Sequence, residues 1–129
     1  MATIRELGDQ YGSLDRQLPV KDEGEIDSQC LLTFQYGYPE QSAEVNIDTD
    51  EFTALCPWTG LPDYGTLLIS YMPEDSCIEL KSLKYYLLSY RGVGIVQEHA
   101  AHRILNDLVA VCEPVSMTVA LDYKVRGGL

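Results

Sequence analysis

The order of the hydrophobic periodicities is the feature that most constrains the fold of this chain. Residues 116–125, "SMTVALDYKV", alternate apolar and polar side chains, as a strand with one buried face does. Two earlier stretches, 79–91 and 96–112, carry apolar residues at helical spacing and are separated by "RGVG". Further strands are predicted at residues 29–37 and 65–73, and residues 43–57 are predicted to form one strand or a bent pair of strands. This order of strands, two antiparallel helices and a last strand predicts an α+β fold with both helices on one face of an antiparallel sheet.

The length and composition are those of a single domain. A chain of 129 residues buries roughly two-thirds of the surface that its unfolded form exposes. Hydrophobic content of 46% and charged content of 22% are ordinary for a globular protein. Residues 1–28 are polar and include the acidic patch "KDEGEID", so we predict an N-terminal arm there and one catalytic domain over residues 29–129. The face of the sheet without helices invites self-association.

Membrane and export signals are not apparent in the sequence. No apolar run reaches the ~18 residues that a bilayer span needs. The N-terminus lacks the basic start and apolar middle of a signal peptide. We therefore expect a cytoplasmic protein that contacts no membrane. In that compartment, paired disulfides among the four cysteines are not expected.

The net charge of −11 is distributed unevenly along the chain. Residues 1–79 have a net charge of −13, whereas residues 80–129 have a net charge of +2. The acidic part would repel a polyanion, which argues against direct binding of nucleic acid. Three cations in the second part could still bind one small phosphate-bearing ligand: Lys81, Lys84 and Arg126.

One of the four cysteines differs from the others in its surroundings. Three lie inside apolar runs and are predicted to be small buried side chains, namely Cys30, Cys77 and Cys112. The fourth, Cys56, opens the stretch "CPWTGLPDYG", whose prolines and glycines predict a loop. Asp63 follows seven residues later. The acidic background would raise the pKa of the Cys56 thiol, so a functional thiolate there would need a local cation or coupled deprotonation.

Several familiar sites can be dismissed. "RGVGIVQ" lacks the third glycine of a dinucleotide fingerprint and follows a predicted helix rather than a strand. His99 and His102 lie in "EHAAH" without the order of a zinc-protease motif, and two histidines would leave a metal site incomplete. We expect ordinary surface or interface histidines and no metal. A thiol and a carboxyl on one rigid turn suit attack on a nitrile or on an amide, and composition does not choose between them.

At this point the sequence resembles a known family. "FTALCPWTGLPDYGTLLISYMP" (52–73) is similar to the catalytic segment of the QueF-type 7-cyano-7-deazaguanine reductases, nitrile reductases of the queuosine pathway. "ELKSLKYY" (79–86) is similar to the NADPH signature of that family. "QEHAAHRILNDL" (97–108) and "VRGG" (125–128) recur at the expected distances. The resemblance covers roughly residues 44–128.

The resemblance implies a role for each matching residue. Cys56 would add to the nitrile carbon and form a covalent thioimide, and Asp63 would give a proton to the nitrile-derived nitrogen. NADPH would then reduce the thioimide and, after sulfur leaves, the imine. The residues that would contact the deazaguanine base are Ile78, Glu79, Leu80, Gln97 and Glu98. The residues that would bind NADPH are Lys81, Ser82, Lys84 and Arg126. Many relatives have a histidine where this chain has Gln97, and an amide cannot relay a proton.

The resemblance also implies an architecture and leaves alternatives. The family adopts the tunnelling fold and assembles into toroids, so a decamer of two stacked pentamers with sites between subunits is the expectation. The nearest alternative is an archaeosine-forming amidine synthase, which resembles this family, acts on tRNA and lacks the "ELKSLKYY" signature. A zinc-dependent cyclohydrolase of the same fold lacks a convincing ligand set here. A purine-binding toroid with an unreactive thiol is the non-enzymatic alternative.

Overall fold

The computed structural model describes residues 1–10, 12 and 18–129, and every structural statement below concerns these residues. Three helices are present: α1 (Ile4–Gln10), α2 (Leu80–Leu88) and α3 (Gln97–Cys112). Five strands are present: β1 (Thr33–Gln35), β2 (Val45–Leu55), β3 (Pro62–Met72), β4 (Ser76–Ile78) and β5 (Ser116–Tyr123). Two short 3₁₀ turns, Glu23–Glu25 and Ser28–Cys30, precede β1. None of the described helices is long and apolar enough to cross a membrane.

The main sheet is antiparallel and has the strand order β2–β3–β5. β2 and β3 form a long hairpin whose register runs from Val45 opposite Tyr71 to Leu55 opposite Pro62. The register shifts between Thr49 and Phe52, which bends the hairpin at a bulge. This bulge explains why the sequence of β2 is compatible with either one strand or a bent pair.

The core lies between this sheet and the two long helices. Alternate residues of β3 point inward and are almost completely buried, for example Leu67 and Ile69. α3 contributes Ile104 and Leu108 from one face, as its helical periodicity predicts. The opposite face of the sheet is not covered by a helix, and Leu68 is 44% exposed there. Both helices lie on one side of the sheet, so the predicted α+β arrangement is confirmed.

A polar cluster inside the core joins the two helices. The hydroxyl of Tyr86 on α2 donates a hydrogen bond of 2.6 Å to the Oδ2 atom of Asp107 on α3. The same hydroxyl lies 2.8 Å from the hydroxyl of Tyr90. Arg103 forms an ion pair of 2.7 Å with Asp107 on α3. Burial raises the pKa of Tyr86 and of Tyr90 well above the usual value, so both phenols stay protonated.

The segments before the main hairpin are more structured than their polar composition suggests. β1 pairs with β4 in a second, two-stranded sheet, which shortens the strand predicted over residues 29–37. Ile26 is only 5% exposed and belongs to the core, although it falls within the predicted arm. Residues 18–21 also lie against the domain, as described below. Part of the predicted arm, residues 11 and 13–17, lies outside the described residues.

Candidate functional site

Cys56 and Asp63 lie at the same end of the β2–β3 hairpin. Asp63 is the register partner of Ala54, and Cys56 follows β2 directly. The backbone N–H of Cys56 donates to the carbonyl of Leu61 at 2.8 Å, and the N–H of Gly60 donates to the carbonyl of Cys56 at 2.9 Å. Gly60 has φ +75°, a left-handed conformation that favours glycine. The residues between the thiol and the carboxyl therefore form one closed turn.

The Cys56 side chain is less exposed, and its pKa lower, than the sequence suggests. A proline-rich loop predicts an exposed thiol, yet Cys56 is 6% exposed. Its pKa is lowered, first by a hydrogen bond from the Thr59 hydroxyl and then by the backbone N–H groups of Thr59 and Trp58. A smaller lowering comes from the Arg126 side chain. The local donors thus outweigh the acidic background, and they favour the nucleophilic thiolate.

Asp63 is a buried carboxyl with one charged neighbour. Its side chain is 4% exposed, and its Oδ1 atom lies 2.9 Å from Nε of Arg126. That contact is an ion pair without hydrogen-bond alignment, so Oδ1 lacks a hydrogen-bonding partner among the described residues. A buried oxygen with unused acceptor capacity is costly to retain unless a ligand uses it. Asp63 is therefore a strong candidate for direct contact with a substrate.

The Arg126 guanidinium lies beside both Cys56 and Asp63. It contacts Asp63, lowers the pKa of Cys56 and remains 55% exposed on its solvent side. The sequence groups Arg126 with two lysines as a phosphate-binding cation. The structure gives this arginine a local electrostatic task in addition, because its positive charge lies close to both the Cys56 sulfur and the Asp63 carboxyl group.

A tyrosine and the start of α3 form the next part of the site. Tyr123, at the end of β5, donates a hydrogen bond of 3.4 Å to the backbone carbonyl of Gln97. Burial raises the pKa of Tyr123, and the charges of Asp63 and Glu98 raise it further. Tyr123 thus connects the buried carboxyl to the first turn of α3, where Glu98 is exposed.

Glu79 is the N-cap residue of α2. Its two carboxylate oxygens accept hydrogen bonds from the backbone N–H groups of Lys81 at 2.8 Å and Ser82 at 2.7 Å. The bond from the Lys81 N–H is the largest cause of the lowered pKa of Glu79, and the bond from the Ser82 N–H lowers it further. Glu79 is flanked by Ile78, which is buried, and by Leu80, which is 60% exposed. The carboxylate is therefore ionised and held in a fixed position, and each oxygen keeps one further lone pair for a ligand.

The first turn of α2 separates the predicted cofactor-binding residues into two kinds. Lys81 and Lys84 are exposed, and Lys84 lines a groove between β2 and α2 that Arg91 also lines. Ser82 is buried, donates to the carbonyl of Glu79 at 2.8 Å and accepts from the N–H of Leu32 at 3.0 Å. The lysines can meet a phosphate, whereas the Ser82 hydroxyl already has two protein partners.

Two contributors to the site are missing from the sequence-based prediction. Thr59 supplies the largest effect on the pKa of the thiol, and Tyr123 lies near enough to Asp63 and Glu98 for their charges to raise its own pKa. A threonine three residues after a cysteine in a turn is a weak signal, because Ser and Thr commonly bond nearby backbone groups. For Tyr123 no local signal exists, since its neighbours come from three different elements.

The other three cysteines and the two histidines lie in surroundings that are common for these residue types in proteins. Cys77 and Cys112 are buried, as predicted, whereas Cys30 is partly exposed, and all four cysteines are free thiols. His99 and His102 are exposed on α3. Among the described residues no group of three or more His, Cys, Asp or Glu side chains could hold a metal ion.

Comparison with known proteins places this geometry in a family. The family model described as "QueF-like protein" matches residues 62–129. An NADPH-dependent 7-cyano-7-deazaguanine reductase of Caldicellulosiruptor bescii is 47% identical over 95% of this chain and 92% of its own length. The reductase of the same name from Caldanaerobacter subterraneus subsp. tengcongensis is 48% identical over 89% of this chain and 86% of its own.

A solved structure gives the fold independently. The crystal structure of the archaeosine synthase QueF-Like in the apo form superposes with a TM-score of 0.59, covering 68% of this chain and 84% of that one. At 20% identity it shows a shared fold and no more. The fold is therefore the tunnelling fold that the resemblance implies. The sequence relatives cover nearly the whole chain at almost half identity, and this chain belongs to the QueF-like protein family.

Proposed function

We propose that this protein reduces the nitrile of 7-cyano-7-deazaguanine to the aminomethyl group of 7-aminomethyl-7-deazaguanine, with NADPH as reductant, in the biosynthesis of the tRNA nucleoside queuosine. The observation that carries the proposal is the pairing of Cys56, whose pKa is lowered, with the buried Asp63 at one hairpin end. The curated relatives named as NADPH-dependent reductases support the same chemistry.

Cys56 and Asp63 perform the first step. The thiolate adds to the electrophilic nitrile carbon, one C–N π bond opens, and Asp63 supplies the proton that the nitrogen takes up. The product is a thioimide on Cys56. The hydrogen bonds from Thr59 and Trp58 increase the thiolate population at neutral pH and also stabilise the sulfur when it leaves. Each NADPH supplies one hydride when bound, so two molecules account for the four electrons.

Carboxylates recognise the deazaguanine base. A guanine-like edge offers N–H donors, and ionised carboxylates are acceptors only. Glu79 and Glu98 fit this task, and Glu79 arrives already ionised and positioned by its cap. Ile78 and Leu80 supply apolar contact beside it, and Gln97 offers its amide next to Glu98.

The cofactor would be held by cations. Lys81 and Lys84 are exposed on the first turns of α2, so they can reach the phosphates of NADPH. Ser82 remains a prediction from resemblance, because its hydroxyl is already engaged.

Replacing Lys81 or Lys84 by alanine should raise the KM for NADPH about tenfold, since one phosphate contact of this kind contributes roughly 1.5–3 kcal/mol when charge-assisted. Formation of the cysteine adduct should stay intact. Equal collapse of adduct formation would contradict the assigned role.

Several further predictions concern partners and location. The substrate is a small molecule, and nucleic acid is not bound directly. A homo-oligomer, with two stacked pentamers as the expected form, would complete each site between subunits. Exposed apolar residues beside the hairpin end support such an interface: Trp58 (71% exposed), Leu61 (55%) and Tyr64 (49%). The cytoplasmic location rests on the sequence alone.

The decisive assay mixes the protein with 7-cyano-7-deazaguanine and NADPH and follows loss of the cofactor absorbance. Oxidation of two NADPH per nitrile is expected, and no oxidation by correctly assembled protein would refute the reductase assignment.

Mass spectrometry without NADPH should show the nitrile mass added to wild type and not to Cys56→Ala. An adduct on Cys30, Cys77 or Cys112 would show that another thiol is the nucleophile. Conversion of the nitrile with ammonia and without NADPH would favour the amidine synthase.

A further inference from the structure

We infer that residues 18–21, in the polar N-terminal segment, are positioning residues for the nucleophile: they hold the turn of residues 56–61 in the conformation that points its donors at the Cys56 sulfur. This inference rests on the proposed role of Cys56. It assigns a task to a segment that carries no catalytic motif and lies outside the 44–128 region of resemblance. Backbone hydrogen bonds hold both ends of the segment.

The first end contacts the turn directly. The backbone N–H of Leu18 donates to the carbonyl of Thr59 at 3.2 Å. At Gly60, a Cβ atom would lie 2.7 Å from the Leu18 Cβ and 2.8 Å from its carbonyl oxygen. Real Cβ atoms do not approach so closely, so the backbone of the turn lies against Leu18 with no room for a side chain. Thr59 and Gly60 are thus fixed from outside the hairpin.

The second end is fixed to the domain by a short parallel ladder. The N–H of Lys21 donates to the carbonyl of Gly92 at 2.8 Å, and the N–H of Gly94 donates to the carbonyl of Lys21 at 2.9 Å. On its other edge, the 92–95 segment exchanges hydrogen bonds with Leu55: from the Leu55 N–H to Val93 at 2.9 Å, and from the Ile95 N–H to Leu55 at 3.1 Å. The ladder therefore connects the segment to the residue before Cys56.

Gly94 shows how tightly the two connections meet. A Cβ atom there would lie 2.3 Å from the Val20 Cγ1 atom and 3.0 Å from the Cα atom of Pro57. Val20 and Pro57 thus approach the same backbone position. Residues 18–21, the ladder and the turn therefore pack together next to Pro57, the residue that follows Cys56.

This packing bears on the chemistry because of where the donors are. The turn that the segment supports carries Thr59 and Trp58, whose hydroxyl and backbone N–H groups lower the pKa of the Cys56 thiol. The Thr59 carbonyl shares its peptide plane with the Gly60 N–H, which donates to the Cys56 carbonyl, so the Leu18 N–H holds the plane next to the one that carries the Thr59 N–H. On the solvent side the turn offers the exposed Trp58 and Leu61. If the segment moves away, the turn loses its outer support and the donors lose alignment with the sulfur.

The test measures the reactivity of Cys56 directly, in the full-length protein. Leu18→Pro removes the N–H that reaches Thr59. Ser28→Pro is the matched control, because it removes a backbone bond of 3.3 Å to Ile26 in the same N-terminal region, away from the turn. Iodoacetamide alkylation at Cys56 is followed by peptide mass spectrometry from pH 5 to 10. Leu18→Pro should shift the midpoint of the rate profile upward and slow alkylation at pH 7 several-fold, whereas Ser28→Pro should match wild type.

A milder variant covers the case in which Leu18→Pro does not fold. Val20→Ala removes methyl groups beside Gly94 and Pro57, and Val45→Ala makes the same change at the far end of β2. Val20→Ala should shift the profile in the same direction by less, and Val45→Ala should leave it unchanged. An unchanged profile in folded Leu18→Pro or Val20→Ala, or an equal shift in either control, would overturn the inference.

Adduct formation separates this inference from the proposed function. Wild-type protein that forms no nitrile adduct on Cys56 would refute the proposed role of the thiol. If wild-type protein forms the adduct, and Leu18→Pro and Val20→Ala form it at the same rate and with the same pH profile, only the positioning role is refuted.

Discussion

Replacing Thr59 by valine tests how the fold activates Cys56. The Thr59 hydroxyl is the largest cause of the lowered pKa of this thiol. Valine keeps the shape of the side chain while removing both that donor and the acceptor that the Leu61 N–H reaches at 3.2 Å. A hydrogen bond to a charged group contributes roughly 1.5–3 kcal/mol. Thr59 is exposed, so water can replace part of the bond, and we use the lower end of that range. About 1.4 kcal/mol corresponds to one pKa unit, or a tenfold smaller thiolate population at pH 7.

The assay is the pH dependence of Cys56 alkylation, read by peptide mass spectrometry. For wild type the rate rises with pH and reaches a plateau above the lowered pKa. For Thr59→Val the curve should lie about one pH unit higher, so the two rates differ about tenfold near pH 7 and converge at high pH. Thr59→Ser retains a hydroxyl and is the matched control, with an expected profile close to wild type.

The reasoning would be refuted by coincident profiles for the valine and wild-type proteins. It would also be refuted if Thr59→Ser shifted as far as Thr59→Val, because the effect would then come from packing rather than from the hydroxyl. Thermal unfolding of the three proteins shows whether the fold is unchanged. The backbone donors of Thr59 and Trp58 remain in every variant, so a lowered pKa should persist in part.

Three further predictions concern the stability of the core, the loss of stability at high pH, and the role of Arg126 near the C-terminus. Tyr86→Phe leaves the buried Tyr90 hydroxyl without its partner and should lower the free energy of unfolding, measured in urea, by about 1–3 kcal/mol. Tyr85→Phe changes an exposed side chain next to it and should alter that free energy by less than ~0.5 kcal/mol. Burial raises the pKa of Cys112 from its ordinary value of 9.0 to about 11. The stability that the neutral thiol contributes, at most roughly 2–3 kcal/mol, is therefore present below pH ~9 and lost as the pH rises through 11, and Cys112→Ala should flatten that decline. Arg126→Ala should slow nitrile adduct formation without NADPH, and an effect confined to the KM for NADPH would show that the arginine serves the cofactor alone.

The periodic segments were predictable because their local pattern agrees with their burial. The predicted helix over residues 96–112 begins within one residue of α3, since its apolar stripe is the face that packs on the sheet. The last strand was equally clear from its alternation. β4 was not predicted, because Ser76–Ile78 is too short to show a period and exists through pairing with β1. β3 begins three residues earlier than predicted, since Pro62 at its first position is tolerated when the partner strand needs no donor there.

The candidate site was predictable only where its residues lie close together along the chain. Cys56 and Asp63 lie in one short stretch, so their proximity follows from the turn chemistry between them. The task of Arg126 does not, because its contact with Asp63 spans most of the domain in sequence. The role of residues 18–21 depends equally on distant backbone partners.

The sequence by itself determined the α+β order, the closeness of the Cys56 thiol to the Asp63 carboxyl, and the lysine-bearing helix, because each depends on residues that are close along the chain. The tertiary structure decided the electrostatics. It buried Cys56 and reversed the expected direction of its pKa by aiming donors from Thr59 and Trp58 at the sulfur. It also brought Arg126 from the C-terminal tail to Asp63. A pKa depends on the direction and distance of a few groups, and those are set only when the strands pair and the turn closes.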